Sequence, residues 1–284
     1  MLKVLVTGSS GRIGRYIVQE LVEAGHQVLG IDLQPPETRI SRFLRVDLTD
    51  AGETFQAVAA AGADAVIHMG AWADAGIVPD TRTYSDNTQG TFNLFQACAD
   101  LGVRRVISAS SGQVYGFDRH APLYLPVDEN HPMRPVNAYA LSKVNGEQMA
   151  AYFAQTRDMT ILSFRLNGIR TVDELPDTIS QLQQDSNKGI GQLWTRTDAR
   201  DAAAACRLAI ETDDVPTGAY NITGGFVLDE EPETLVRRHF GEQVDIRDDL
   251  SARPALLDCA KAEAAFGWRP QYLWSISQQH PVSE

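Results

Sequence analysis

The chain predicts an α/β fold, a doubly wound parallel sheet with helices on both faces, followed by a small C-terminal lobe. Three observations point there. Short apolar segments alternate with helical ones up to about residue 165. A glycine-rich turn joins the first apolar segment to the first helix. Beyond residue 165 the alternation weakens. Alternation of this kind lays helices over both faces of a parallel sheet, through right-handed crossovers.

The elements follow in order. Residues 2–6 read as a buried strand, and Gly8-Ser9-Ser10-Gly11-Arg12-Ile13-Gly14 comes next. Ile13, Ile17, Leu21 and Val22 are spaced as on one helix face, so a helix runs to about Glu23 and stops at Gly25. Residues 27–31 form the second strand, closed by Asp32. Strands are then expected at 43–46, 65–68, 105–108 and 160–164, and helices at 52–61, 86–101 and 137–156. Residues 168–194 are polar with few apolar anchors. An Ala-rich helix at 197–211, a strand at 219–222 and a short helix at 258–266 complete the chain. The expected division is a sheet domain at 1–166 and a small substrate-binding lobe at 167–284, partly interleaved with it.

Composition narrows the function. With 43% apolar and 22% charged residues, the chain has the make-up of a soluble globular protein. No apolar run approaches the roughly 20 residues that span a bilayer. The segment Met1–Gly8 is too short for a signal peptide, so a cytoplasmic protein is expected. The three cysteines, Cys98, Cys206 and Cys259, are far apart and form no Cys-x-x-Cys, which fits reduced thiols. A net charge of −12 argues against nucleic-acid and membrane partners, both of which attract basic faces. The six histidines are scattered, so no metal site is expected.

The chemistry sits at the strand ends. In Gly8-x-x-Gly11-x-x-Gly14, Gly8 allows the tight turn, Gly11 the approach of a pyrophosphate, and Gly14 the packing of helix on strand. The domain at 1–166 is therefore expected to be Rossmann-type and to bind a dinucleotide. Within the turn, Ile13 belongs to the same cofactor surface. Arg12 could meet a 2′-phosphate or face solvent. Asp32, 24 residues beyond Gly8, can accept bonds from both ribose hydroxyls and repels a 2′-phosphate, which favours NAD over NADP. Asp47-Leu48 and His68-Met69-Gly70-Ala71 end the next two strands; small residues at Gly70 and Ala71 let a cofactor lie on the backbone, and His68 reads as a core residue. Ser108–Gly116 is rich in hydroxyls that could hold a substrate oxygen. Tyr139 and Lys143 stand one helical turn apart on one face. A lysine cation there lowers the phenol pKa toward working pH and fits it for proton transfer.

Taken together, Thr7-Gly8-x-x-Gly11-x-Ile13-Gly14, Asp32, Asp47-Leu48, Asn87-x-x-Gly90-Thr91, Ser110-Ser111-x-x-Val114-Tyr115-Gly116 and Tyr139-x-x-x-Lys143 resemble the extended short-chain dehydrogenase/reductases, the NAD-dependent epimerase/dehydratase family. The resemblance covers nearly the whole chain. It implies that Tyr139 is the acid/base, that Lys143 lowers its pKa and holds the nicotinamide ribose, and that Ser111 binds the reacting oxygen, with Ser110 as the substitute. It implies that Asn87 helps form the cofactor pocket and that NAD accepts hydride from a hydroxyl-bearing carbon.

The chain departs from the family's nucleotide-sugar enzymes in one region. Only about 26 residues separate Arg165-Leu166-Asn167-Gly168-Ile169-Arg170 from the helix at 197, so the segment that grips a nucleoside diphosphate is trimmed. A small sugar, sugar acid or polyol-like substrate is expected, in a lobe that resembles the uronate and aldose dehydrogenases. Those uronate enzymes carry Asn-His after the catalytic serine, where this chain has Gly112-Gln113. Arg170 and Arg196 are the candidates for a carboxylate-binding arginine, against a surface or structural role. A dehydrogenase is favoured over an epimerase or dehydratase that retains its NAD, because turning a keto intermediate needs room and a nucleotide handle. A non-catalytic NAD sensor would not need the Tyr139/Lys143 pair. The helices at 86–101 and 137–156 carry Phe92, Phe95, Met149, Tyr152 and Phe153, the faces through which such proteins pair as homodimers. The alternative is that these residues only cover the sheet.

Overall fold

The computed structural model describes residues 1–275 and 278–282. In chain order the elements are β1 (Lys3–Thr7), α1 (Gly14–Glu23), β2 (Gln27–Asp32), β3 (Arg42–Arg45), α2 (Ala51–Ala61), β4 (Ala65–His68), α3 (Asp80–Asp100), β5 (Arg105–Ser111), β6 (Tyr124–Leu125), α4 (Ala138–Arg157), β7 (Thr160–Asn167), β8 (Ile169–Arg170), α5 (Leu175–Gln184), β9 (Thr195–Asp198), α6 (Ala199–Glu211), β10 (Gly218–Thr223), β11 (Gly225–Phe226), α7 (Pro232–Phe240), β12 (Asp245–Ile246), α8 (Ala260–Phe266), β13 (Leu273–Ser275) and β14 (Gln278–Val282). Seven parallel strands form the main sheet in the order β10-β7-β5-β4-β1-β2-β3. Strand order reverses between β1 and β4, and ligands bind at the carboxyl ends of strands beside such a switch point.

Side-chain alternation along the strands builds two core layers. Val4 and Val6 of β1 face Ile17 and Leu21 of α1 and Ala202 and Cys206 of α6. Leu5 faces the opposite layer, where Val58 of α2, Phe95 of α3 and Phe153 of α4 pack. A third cluster, with Leu175, Leu182, Trp194, Leu235, Leu257 and Trp274, fills the C-terminal region. β10 lies at the edge of the main sheet although it follows β8, α5, β9 and α6 in the chain. Among the described residues, no helix is long and apolar enough to cross a membrane.

Three boundaries differ from the sequence expectation, each for a physical reason. α3 begins at Asp80 rather than at 86: Pro79 precedes it and Asp80 occupies its first turn, but its first residues are mostly polar and exposed, so they show no apolar period. β5 and β7 run on to Ser111 and Asn167, because their last residues are polar yet buried. Within 168–194, Leu175, Ile179 and Leu182 anchor α5 at helical spacing.

Candidate active site

β1 and β4 end side by side at the switch point, and Gly8 meets Gly70 there. Gly8 has φ of +65°, and a Cβ on it would lie 2.7 Å from the Gly70 nitrogen. A Cβ on Gly14 would run into the Gly8 carbonyl, so α1 packs against the turn as only glycine permits. Gly11 closes the turn by donating to the Gly8 carbonyl at 3.0 Å. α1 starts with no side-chain cap and no acidic residue in its first turn, with Ile13 at the cap position. By contrast α2, α4, α6 and α7 are capped by Asp50, Asn137, Asp198 and Glu231. The uncapped end leaves N–H donors for an anion. Ser9 Oγ, inside this turn, is buried without a hydrogen-bond partner. Asp32 accepts from the Ser10 nitrogen at 3.1 Å and the Gln34 nitrogen at 3.3 Å, which ties the end of β2 to the turn. A tight glycine turn, an uncapped helix and a carboxylate at the end of β2 fit NAD.

The other residues expected around the cofactor divide. Leu48 lies against Gly70, where a Cβ would come within 2.7 Å of Leu48 Cδ1. Gly70 and Ala71 lead into Trp72, whose backbone is clamped by Asn87. Asn87 also donates to Ser142 Oγ at 3.1 Å, so its amide locks α3 to α4. Asp47 spends Oδ1 on the Thr49 nitrogen and hydroxyl, at 2.9 and 2.7 Å. Arg12 pairs with Glu174 just before α5 at 3.1 Å, linking the glycine turn to the later part of the chain. His68 is held between the hydroxyls of Thr7 and Thr91, at 2.8 and 3.0 Å, and burial pushes it down to about 3. It stays neutral and works in the core.

Tyr139 and Lys143 lie in the first two turns of α4, both buried. Asn137 sets that helix start by accepting from the Ala140 nitrogen at 2.7 Å. Lys143 Nζ donates to the Ala109 carbonyl at 2.8 Å and stands 5.6 Å from the centre of the Tyr139 ring. Burial pushes the Tyr139 phenol up to about 12; the nearby Ser111 hydroxyl opposes the rise and Asp74 adds to it. Burial brings Lys143 down to about 8. This departs from the expectation that Lys143 lowers the phenol. Loss of hydration decides the shift of both groups, and the ammonium is turned onto a carbonyl.

The two serines part company. Ser110 donates to Glu147 Oε1 at 2.6 Å, whereas Ser111 is the hydroxyl beside Tyr139. Glu147 in turn forms a buried ion pair with Arg165 at 2.8 Å. Arg165 also donates to the Tyr115 hydroxyl and the Glu129 carbonyl, each at 3.0 Å. This network, absent from the sequence reading, fixes the ends of β5 and β7 under the site. Its one sequence signal was an arginine inside an apolar strand pattern.

Three more polar residues come together: Gln113 from the segment after Ser111, Asn137 before Tyr139, and Asp74. Gln113 donates to Asp74 at 3.0 Å and accepts from Asn137 at 3.1 Å, which places Asp74 beside the Tyr139 turn. Arg170 is half-buried on β8, and Arg196 is buried on β9. The two strands pair in parallel.

The family model for the NAD dependent epimerase/dehydratase family matches residues 4–223. The chain belongs to that family. It is 31% identical over 161 residues to UDP-glucose 4-epimerase of Lactobacillus helveticus, covering 53% of this chain and 47% of that protein. The matched segment thus spans about half of that epimerase. It is 28% identical to L-arabinose 1-dehydrogenase (NAD(P)(+)) of Haloferax volcanii, over 74% of this chain and 83% of that enzyme. A short-chain dehydrogenase/reductase superfamily protein of Agrobacterium tumefaciens, solved with bound NAD, superposes with a TM-score of 0.75 at 26% identity, covering 97% of this chain and 94% of that one. NAD is the cofactor of the family, and the fold is the family's Rossmann-like α/β sheet.

Proposed function

We propose that this protein is an NAD-dependent dehydrogenase that oxidises a secondary or anomeric hydroxyl of a small carbohydrate-like substrate. The observation that carries the reading is the Ser111–Tyr139 hydroxyl pair, with Lys143 buried alongside, next to the glycine turn. When bound, NAD supplies the acceptor for the hydride leaving the carbinol carbon. Gly8, Gly11, Gly14 and the start of α1 would hold its pyrophosphate, and Asp32 its adenosine ribose. Ser111 would hydrogen-bond the substrate hydroxyl and orient it. Tyr139, as the phenolate, would take the hydroxyl proton and become the neutral phenol, and Lys143 would favour the phenolate before that transfer. Asp74, Gln113 and Asn137 offer donors and acceptors suited to sugar hydroxyls. The matches support oxidation over epimerisation: the dehydrogenase aligns over 83% of its length, the epimerase over 47%.

The rest of the reading is coarser. Residues 1–166 would form the cofactor domain and 167–284 the substrate lobe. Of the residues expected on the pairing faces, Phe92 and Tyr152 are exposed on α3 and α4 and would pair two copies as a homodimer, whereas Phe95 and Phe153 are buried in the core. The free thiols of Cys98, Cys206 and Cys259 suit the cytoplasm.

A panel of aldoses, sugar acids and nucleotide sugars with NAD⁺, followed by NADH absorbance, tests the activity. NADH production from a free sugar or sugar acid is the expected result; isomerised product without NADH selects an epimerase. Tyr139→Phe should lower kcat by about 10²–10⁴ with NAD affinity within about twofold of the parent. Full activity in that variant removes Tyr139 from the mechanism.

A further inference from the structure

We propose that Arg12 and Glu174 form a clasp over the NAD site, one that must open for the cofactor to enter and leave and that therefore sets the rate of its exchange. The proposal rests on the NAD site alone and holds whether the enzyme oxidises or epimerises.

The sheet places the two partners on opposite sides of that site. Arg12 sits in the glycine turn after β1, and Glu174 follows β8, just before α5. β7 gives way at Gly168, with φ of +61°, to β8, which has left the main sheet for the small β8-β9-β11 sheet. In the main sheet β4 and β5 lie between β1 and β7. Three strand spacings of about 4.8 Å put roughly 14 Å between the ends of β1 and β7. Gly70, after β4, and Ser111, the last residue of β5, lie within that interval. Arg12 Nε meets Glu174 Oε1 across it at 3.1 Å. A dinucleotide with its pyrophosphate on the glycine turn and its nicotinamide at Tyr139 would run along the same interval, beneath this bridge.

Both partners are fixed where they stand. Glu174 Oε2 accepts from the Thr171 nitrogen at 2.9 Å, which leaves Oε1 to Arg12. Burial alone would raise this carboxyl. The Thr171 N–H, then Arg12 and Arg170, bring it below the ordinary range, so it is ionised at neutral pH. Arg12 directly precedes Ile13 at the cap position of α1, so its backbone belongs to the turn that would receive the pyrophosphate. The pair therefore ties the turn to the start of α5. Its side chains are 53% and 37% exposed, so water screens it and it can open at each exchange. A pair of this strength slows opening by about two- to fivefold. Opening of such closures limits ligand release in many enzymes.

The test uses the full-length protein and NADH, without substrate. Stopped-flow fluorescence gives the rate of entry from its dependence on NADH concentration, and the rate of release from a chase with excess NAD⁺. Glu174→Gln keeps an acceptor for Thr171 and removes the charge. It should raise entry and release alike, each about two- to fivefold, with NADH affinity within about twofold of the parent. Arg12→Met should speed release as much, and the double variant no further. Arg12→Gln takes its place if Arg12→Met does not fold. Raising salt from about 0.05 to about 0.5 M should speed release from the parent more than from Glu174→Gln. Unchanged rates in Glu174→Gln overturn the proposal. Faster release with unchanged entry makes the pair a contact of the bound cofactor and overturns it too. So does faster entry with slower release, the mark of a repelling carboxylate removed. Additive effects of the two substitutions overturn it as well.

Discussion

Arg165 and Arg196 lie on neighbouring parts of the molecule, and each is nearly sealed from water, at 4% and 3% exposed. Arg165 meets both oxygens of Glu147 through Nε and Nη2, at 2.9 and 2.8 Å, with Tyr115 and Glu129 taking further bonds. Its partners hold its pKa above the ordinary arginine value. Arg196 has one backbone carbonyl, and its pKa falls. Every donor on Arg165 serves the fold, and most of those on Arg196 meet no acceptor among the described residues. A buried cation with a full shell is a structural part. One with an empty shell is a cost that the rest of the fold has to carry.

The largest effect should come from breaking the satisfied case. Glu147→Ala strands the Arg165 guanidinium, strips Ser110 of its acceptor and frees the ends of β5 and β7. A loss of about 3–5 kcal/mol in unfolding free energy is expected, read by urea denaturation. A loss below about 1 kcal/mol would mean that water reaches Arg165 and that the two arginines do not differ as described.

The same contrast explains what could be read without coordinates. The glycine turn, Asp32 and the Tyr139/Lys143 pair follow local rules: a strand, a turn needing glycine, a helix face. Their spacing along the chain equals their function, and so the sheet domain was legible. Arg165 and Glu147, 18 positions apart, and Tyr115, 50 from Arg165, meet only once the sheet is assembled. Arg170 and Arg196 were visible as candidates, but nothing in the chain order shows that neither forms an ion pair among the described residues. The start of α3 was missed because its polar first turns face solvent, where apolar periodicity has nothing to report. The direction of the Tyr139 shift was missed because burial, unlike spacing, is a property of the folded state.

Lys143 sharpens the comparison as a buried cation that can shed its charge. It has one hydrogen bond, to Ala109, and burial brings it from 10.5 to about 8. Between those values the unfolded chain binds more protons than the folded one, so stability rises with pH across the window. Below about 8 both states are protonated and the cost of the buried charge is fully present. Tyr139 acts oppositely above pH 10, because its phenol is raised to about 12 and the unfolded chain then loses its proton first. The measurement therefore belongs between pH 8 and 10, on protein without NAD. Relative to Lys143→Met, the parent should gain about 2 kcal/mol over that interval. A flat difference would show that the ammonium is solvated.

The smallest effect should come from the unsatisfied case, and its size is the point. Arg196→Met removes a charge that has no counter-ion among the described residues and leaves an apolar chain of similar length. The transfer cost of the guanidinium disappears, and one bond to the Thr195 carbonyl is lost, worth about 1 kcal/mol. Replacing buried charge by a well-packed apolar group is often neutral or stabilising. Unfolding free energy should therefore change by less than about 1 kcal/mol, against the several lost in Glu147→Ala. If Arg196→Met costs as much as Glu147→Ala, Arg196 is a structural arginine after all, and its contacts hold the fold as those of Arg165 do.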